Sequence, residues 1–295
     1  MVSPSWKAVA ASIARATGEA FQVNQAKPIS GGCINRGFHL QGSARAFFVK
    51  LNTASALSMF EAEAAGLHEI AATDTVRVPL PICAESNEEG AWLVLEYLPL
   101  ANGGPRAMTL LGERLAAMHR ITHERFGWTR DNTIGSTPQV NARLSDWGEF
   151  WTRHRLGHQL DLAARNGHRG ELQRKGSDLL ERVACLFAGH RPRASLLHGD
   201  LWGGNAAQTT GGEPVIFDPA VYYGDREVDL AMTRLFGGFP SEFYFAYESA
   251  WPLDPGYRER RDLYNLYHVL NHLNLFGGGY LRQAVGMMDG LLAAA

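Results

Sequence analysis

The stretch His198-Gly199-Asp200-Leu201-Trp202-Gly203-Gly204-Asn205, taken with Phe217-Asp218-Pro219, carries groups whose types and spacing suit phosphoryl transfer. Asp200 can accept the proton of an attacking hydroxyl. Asn205, five residues on, offers a neutral oxygen to a metal, and Asp218, thirteen residues beyond it, offers a charged one. An Asp base followed by an Asn and an Asp that hold Mg²⁺ is the order of kinase catalytic loops. Such chemistry asks the protein for in-line positioning and for cations on the β- and γ-phosphates. Mg²⁺ itself takes a few hard oxygens, with waters and phosphates completing its octahedron. His-Gly-Asp alone would also read as an ordinary turn, because Gly and Asp are common turn formers. Its context argues for more: residues 195–197 and 214–217 read as short buried strands, with a hairpin turn at 209–212 before the second.

Other elements must bring charge to the phosphates. Residues 46–51 read as a strand with Lys50 in an apolar run, and residues 58–70 read as the helix that follows. In kinases the strand Lys grips the phosphates and a Glu on the next helix orients it. Glu61 and Glu63 both qualify; Glu63 lies beside the apolar stripe of Phe60, Ala64 and Leu67 and is favoured, while Glu61 reads as solvated. Upstream, two strand-like runs flank a glycine pair, and backbone N–H groups of Gly31, Gly32, Cys33 and Ile34 can approach phosphate oxygens there. The pattern is neither G-x-G-x-x-G nor G-x-x-x-x-G-K-[ST], so dinucleotide and P-loop readings fail. The apolar strand at 91–98 ends at Pro99, where backbone groups from Glu96 to Leu98 are expected to hold adenine.

On the acceptor side, Trp202 could stack on a sugar face or pack beneath the loop. Tyr267, His268, Asn271 and His272 recur at helical spacing and could line a sugar pocket or form a hydrogen-bonded structural face. Asp229 could bond the catalytic-loop backbone, cap its helix or pair with Arg226 or Arg234, and His119 reads as structural. Residues 126–139 read as a polar loop, and residues 146–165 as an aromatic-rich helix.

Composition bounds the remainder. The chain has 295 residues, 45% of them apolar and 20% charged, with a formal net charge of -2. These values fit a globular protein and give no electrostatic case for nucleic acid. No run of 18 apolar residues suggests a membrane span, and the first residues lack a secretory pattern. Cys33, Cys83 and Cys185 are far apart, as expected of a reduced, cytoplasmic protein without structural zinc. Cys33, in the phosphate loop, is also a candidate for oxidation or for a redox-linked dimer that blocks ATP. The expected architecture is α+β and bilobal: a small β-rich N-lobe at 1–98 and a larger, mainly helical C-lobe at 99–295. From Arg143 to Arg193 there are nine Arg and one Lys against six Asp or Glu, a mildly basic stretch that argues against a polycationic acceptor.

The segments Ser30-Gly31-Gly32-Cys33-Ile34-Asn35, Phe48-Val49-Lys50, Phe60-Glu61-Ala62-Glu63, the loop 198–205, the run 217–229 and the run 266–280 together resemble the fructosamine-3-kinase (ketosamine-3-kinase) family. The Asp-Leu-Trp-x-Gly-Asn loop followed by Tyr-Gly-x-Arg-Glu is the specific part of that match. The resemblance implies a protein-kinase-like fold shared with aminoglycoside phosphotransferases and choline kinases. It also implies ATP- and Mg²⁺-dependent phosphorylation of the 3-hydroxyl of ketosamines, on small amines or on glycated protein lysines. The product is unstable and releases the amine, which amounts to deglycation. Asp225 stands where some relatives carry His. Rival readings are a kinase of an aminoglycoside or choline, and a catalytically dead nucleotide-binding scaffold.

Overall fold

The computed structural model describes residues 5–29 and 34–294. Helix α1 (Trp6–Thr17) starts at Ser5, whose side chain accepts the Ala8 N–H, and ends at left-handed Gly18; a hydroxyl at the N-cap and a glycine beyond the last turn satisfy the unpaired backbone groups. Strands β1 (Gln25–Ile29), β2 (Arg36–Gln41) and β3 (Ala46–Asn52) follow, then helix α2 (Leu57–Ala71), β4 (Pro81–Asn87) and β5 (Gly90–Glu96). The five strands form an antiparallel sheet in the order β1-β2-β3-β5-β4.

Alternation along these strands sorts their side chains between two cores. Phe47, Val49, Leu51, Trp92 and Val94 pack with Val9 and Ile13 of α1. Ala91, Leu93 and Leu95 join Phe60, Leu67 and Ile70 of α2 on the opposite face. Covered on both faces, β5 is therefore an unbroken apolar run. Lys50 falls between Val49 and Leu51, so it points away from α1 and toward α2.

The remainder is mainly helical. It runs through β6 (Leu100–Ala101), α3 (Pro105–His119), β7 (Thr122–His123), the hairpin β8 (Asn132–Ile134) and β9 (Thr137–Gln139), α4 (Trp147–Trp151), α5 (His158–Arg165) and α6 (Glu171–Leu186). Next come β10 (Ala194–Leu197), β11 (Ala206–Thr209), β12 (Pro214–Ile216) and β13 (Tyr222–Gly224), then α7 (Glu227–Leu235), α8 (Ser241–Ala250), α9 (Tyr257–Phe276) and α10 (Leu281–Ala294). Two three-stranded sheets are present, β13-β10-β7 and β12-β11-β6, and their strands β10 and β11 flank residues 198–205. Beneath them lies an aromatic core that includes Trp147, Phe150, Trp151, Tyr264 and Tyr267.

The fold class is α+β, an N-terminal antiparallel sheet with a helical C-terminal part. Two local expectations change. The polar stretch 126–139 contains the β8–β9 hairpin, whose Asn132 and Gln139 side chains are buried. The helix expected over 146–165 is interrupted by a π-helical turn, Thr152–Gly157, inside which Arg155 is wholly buried. The two parts of the chain also join directly, because Ile216 donates its N–H to the Arg77 carbonyl (3.0 Å).

Candidate active site

Lys50 occupies the centre of the site. Its Nζ donates to Glu63 Oε1 and to Asp218 Oδ1, both at 2.6 Å. Burial disfavours an ammonium here, but the charges and hydrogen bonds of Asp218 and Glu63 outweigh it and hold Lys50 firmly protonated. The Lys50 side chain is 6% exposed and that of Asp218 is 44% exposed. The cation is therefore recessed, while the aspartate opens outward. Glu61 is exposed and among the described residues pairs only with Arg130 (3.6 Å), as its solvated reading anticipated.

The stretch 198–205 is fixed by backbone contacts that its sequence makes necessary. Asp229, wholly buried on α7, accepts the N–H of His198 (2.7 Å) and of Gly199 (2.8 Å). Burial alone would raise the Asp229 pKa, yet His119, His198 and the Gly199 N–H hold it below the ordinary carboxylate range. His119 bonds Asp229 and Tyr247 and is structural. Gly199 has φ 82°, and a Cβ there would lie 2.1 Å from the Ala220 carbonyl oxygen. Only glycine satisfies both conditions. His198 accepts the Asp200 N–H at Nδ1 (3.2 Å) and donates from Nε2 to the Phe217 carbonyl (2.9 Å). Burial keeps its ring neutral, which suits one donor and one acceptor nitrogen.

These bonds tie the Asp200 loop to the Asp218 segment. Phe217 N–H donates to the Asn205 carbonyl (3.1 Å), and Ala220 N–H donates to the His198 carbonyl (2.8 Å). Between them Asp218 adopts φ 58°, a left-handed conformation that Asp tolerates better than most residues. Anchors on both sides over-determine it, which is how functional segments retain strain.

Asn205 donates from Nδ2 to the Asp200 carbonyl (2.9 Å) and to Asp200 Oδ2 (3.3 Å). Its amide nitrogen is thereby engaged, and its Oδ1 is left as the acceptor. Burial, then the charges of Asp218 and Asp229, push the Asp200 carboxyl up to about 7 despite the Asn205 bond. A carboxylate in this range is suited to accept a proton near neutral pH. The donor set passes the test for Mg²⁺: an amide oxygen on Asn205 with no hydrogen-bond partner among the described residues and a half-open carboxylate on Asp218, both hard ligands, sit where negative charge exceeds positive.

Other expected site residues separate into groups. Gly31, Gly32 and Cys33 lie outside the described residues. Ile34 is described; its carbonyl accepts from Asn52 (3.3 Å). A Cβ on Gly135 would lie 3.8 Å from its Cδ1, so Ile34 reaches the C-terminal part. Glu96 binds Arg77 with its side chain, and its N–H donates to the Leu80 carbonyl (2.8 Å). Among the described residues the Leu98 backbone has no hydrogen-bond partner.

Trp202 is 37% exposed, covers Gly204, where a Cβ would meet its ring at 2.3 Å, and meets Phe236 edge-on (6.1 Å). His272 continues that surface through Phe236 (4.7 Å). The other expected α9 residues do not join it. Tyr267 is buried and donates to Gln139 Oε1 (2.7 Å), while Asn271 is buried and accepts from Gln159 (3.3 Å). His268 is buried with neither ring nitrogen hydrogen-bonded, and burial drives its pKa down to about 3.

What the sequence reading lacked is the support beneath residues 220–222. Asn132 donates to the Val221 carbonyl (2.8 Å), Gln139 donates to the Ala220 carbonyl (3.2 Å), and Arg155 stacks over Tyr222 (4.0 Å). Polar residues in a loop give no signal that they will be buried. The basic stretch also resolves differently. Arg155 is interior, whereas Arg165, Arg169, Arg174 and Arg182 are exposed on α5, α6 and the loop between them. Its charge therefore says little about the polarity of the acceptor side.

Comparison with known proteins shows the family and the fold. Residues 5–294 match the model of the family described as fructosamine kinase. A protein of Synechocystis sp. named a probable ketoamine kinase is 49% identical over 284 residues, covering 96% of this chain and 95% of that one. The chloroplastic protein-ribulosamine 3-kinase of Arabidopsis thaliana is 45% identical over 279 residues, covering 93% and 85%. A crystal structure of a candidate fructosamine-3-kinase from Haemophilus somnus superposes with TM-score 0.90 at 29% identity, over 97% of each chain. The fold extends to an aminoglycoside phosphotransferase solved with ADP and hygromycin B, with TM-score 0.63 at 14% identity over 98% of this chain and 99% of that one. The chain belongs to the fructosamine kinase family.

Proposed function

We propose that this protein transfers the γ-phosphoryl group of ATP to the 3-hydroxyl of a ketosamine, a sugar adduct on an amine or on a protein lysine. The observation that carries the reading is the arrangement around Lys50. One ammonium is held between Glu63 and Asp218; the Asp200 carboxylate lies within the electrostatic reach of Asp218 and is hydrogen-bonded by Asn205.

In this reading Asp200 takes the proton of the acceptor hydroxyl as the oxygen bonds to the γ-phosphorus. The bond from that phosphorus to the β–γ bridging oxygen breaks, and ADP leaves. A positioned base of this kind contributes roughly 10²–10⁴-fold. Lys50 neutralises phosphate charge from a recess that excludes water, where a fixed cation acts most strongly. Mg²⁺ bound by Asn205 and Asp218 would screen the β- and γ-phosphates. Leu98, with its backbone groups free, faces adenine, and Trp202 presents its ring to the sugar. The phosphorylated ketosamine is unstable and releases its amine, so the net outcome is deglycation. Among the described residues no helix is long and apolar enough to cross a membrane, and Cys83 and Cys185 are free thiols; the proposal places the protein in a reducing, cytoplasmic setting.

ATP consumption and product mass on a fructosamine, a ribulosamine, choline and kanamycin test the reading, with Asp200→Asn as control. Ketosamine-only phosphorylation that disappears in the variant supports it and ranks the sugars. Turnover of choline or kanamycin instead would overturn the substrate class, and nucleotide binding without any turnover would favour a scaffold.

A further inference from the structure

Glu69 lies on α2, six residues beyond Glu63, and both of its carboxylate oxygens are engaged by the C-terminal part of the chain. Oε2 accepts the Trp128 indole N–H (2.5 Å), and Oε1 accepts the Tyr223 hydroxyl (2.8 Å). The two donors are fixed relative to each other, because Gly127 and Tyr223 exchange backbone hydrogen bonds at 2.9 Å in both directions. Tyr223 follows Asp218 by five residues.

A second contact holds the same helix to the same segment. Gly66 packs against the residues after Asp218: a Cβ there would lie 2.9 Å from Val221 Cγ2 and 3.8 Å from Pro219 Cγ. Helix α2 therefore rests on residues 219–223 through a close backbone approach and a two-pronged carboxylate. Glu63, at the other end of this contact, must reach the Lys50 ammonium that also binds Asp218. Both 2.6 Å bonds exist only if α2 keeps a fixed distance from the Asp218 segment.

We propose that Glu69 is a positioning residue: by pinning α2 to Trp128 and Tyr223 it fixes Glu63 against Asp218, so that Lys50 is set for nucleotide without a separate activating movement. This rests on the kinase reading above. Glu69 touches no reacting atom and acts through Glu63. Reactions that depend on preset geometry lose up to about 10²-fold when a group moves by roughly 1 Å.

The test is a double-mutant cycle between Glu69→Ala and Glu63→Ala. It is read as kcat/KM for MgATP, as KM for the ketosamine, and as MgADP affinity by calorimetry, which needs no acceptor. Glu69→Ala should lower kcat/KM for MgATP and MgADP affinity by about tenfold, leave the ketosamine KM unchanged, and have less than about a twofold effect in the Glu63→Ala background. Glu69→Gln, which keeps an acceptor for Trp128, should recover most of the loss. Tyr223→Phe, which removes one hydroxyl from an otherwise intact ring, should reproduce part of it even if Glu69→Ala folds poorly.

Equal effects in both backgrounds would make Glu69 a general stabiliser and overturn the inference. So would indifference of the active wild-type enzyme to all these changes. A wild type that phosphorylates no acceptor would instead defeat the kinase reading, while the nucleotide-affinity cycle would still decide the role of Glu69.

Discussion

Two clusters of buried charge in this molecule have similar ingredients and opposite accounts. Around Lys50, one cation meets Glu63 and Asp218, and Asp218 in turn faces the charge of Asp200; around Arg260, one guanidinium meets Glu227, with His190, Asp225 and Tyr264 nearby. In the second cluster each strong acceptor is engaged. Arg260 takes both oxygens of Glu227 (2.7 and 2.8 Å), and Asp225 is bound by His190 (2.6 Å), Tyr264 (2.5 Å) and the Glu227 N–H (3.1 Å). His190, Asp225 and Glu227 bring ligand atoms within 4.8 Å of one another, yet those atoms are already satisfied and leave no vacancy for a cation. In the Lys50 cluster the Asn205 oxygen has no partner among the described residues, Asp218 opens to solvent, and the Asp200 carboxyl is pushed up to about 7. A closed network holds structure together, whereas an incompletely satisfied one is available for chemistry.

The largest effect should come from the open cluster. Asp200→Asn should reduce kcat on a ketosamine by roughly 10²–10⁴-fold, with the thermal midpoint unchanged or raised because a crowded negative charge is removed. A marked loss of stability would mean that Asp200 is structural and would erase the contrast.

The closed cluster should answer in stability instead. Arg260→Met leaves Glu227 buried and unpaired, and removing one partner of such a pair costs about 3–5 kcal/mol. Urea unfolding monitored by tryptophan fluorescence would read this, and KM values of the folded fraction should stay the same. A change in ketosamine KM would show that the two clusters communicate.

Gly199→Ala probes the loop between them. Its φ of 82° and the 2.1 Å approach to Ala220 predict a destabilisation of about 1–3 kcal/mol. A drop in kcat should accompany it, because the same loop carries Asp200. Calorimetry and turnover on one sample would check both.

The smallest expected effect is a pH dependence. Burial opposes a charge on His190, but the hydrogen bond and charge of Asp225, with the charge of Glu227, outweigh both burial and Arg260 and raise its pKa above the ordinary 6.5; Asp254 also lies 3.2 Å away. A raised histidine pKa stabilises the fold fully below the unfolded value, and that contribution disappears as pH rises through the folded value. The difference in urea midpoint between wild type and His190→Gln should therefore shrink from pH 6 to pH 9. A difference that grows over this window would refute the pairing.

Much of the candidate site was legible because its spacing is local. Lys50, Asp200, Asn205 and Asp218 each sit in or beside a short strand whose alternation or turn residues announce it, and Glu63 follows on the next helix. Asp229 was harder. Its sequence context allowed a cap, an ion pair or a loop contact, and only the placement of α7 beneath His198 and Gly199 selects the last. Glu69 gave no signal, since a glutamate on an amphipathic helix ordinarily faces solvent.

The sequence by itself determined the chemical inventory, its order along the chain and the α+β class, because catalytic-loop spacing and strand alternation are properties of neighbouring residues. Tertiary structure alone decided which polar groups are interior. The run from Leu263 to Asn271 on α9 is buried on all sides, so helical periodicity contains no information about which face meets substrate. His272, at the edge of that run, reaches the Trp202 surface, while Tyr267, His268 and Asn271 remain inside. The same holds for Asn132, Gln139 and Arg155: desolvating them is tolerable only because backbone carbonyls and aromatic faces from distant segments converge on them, and that convergence exists only once the chain has folded.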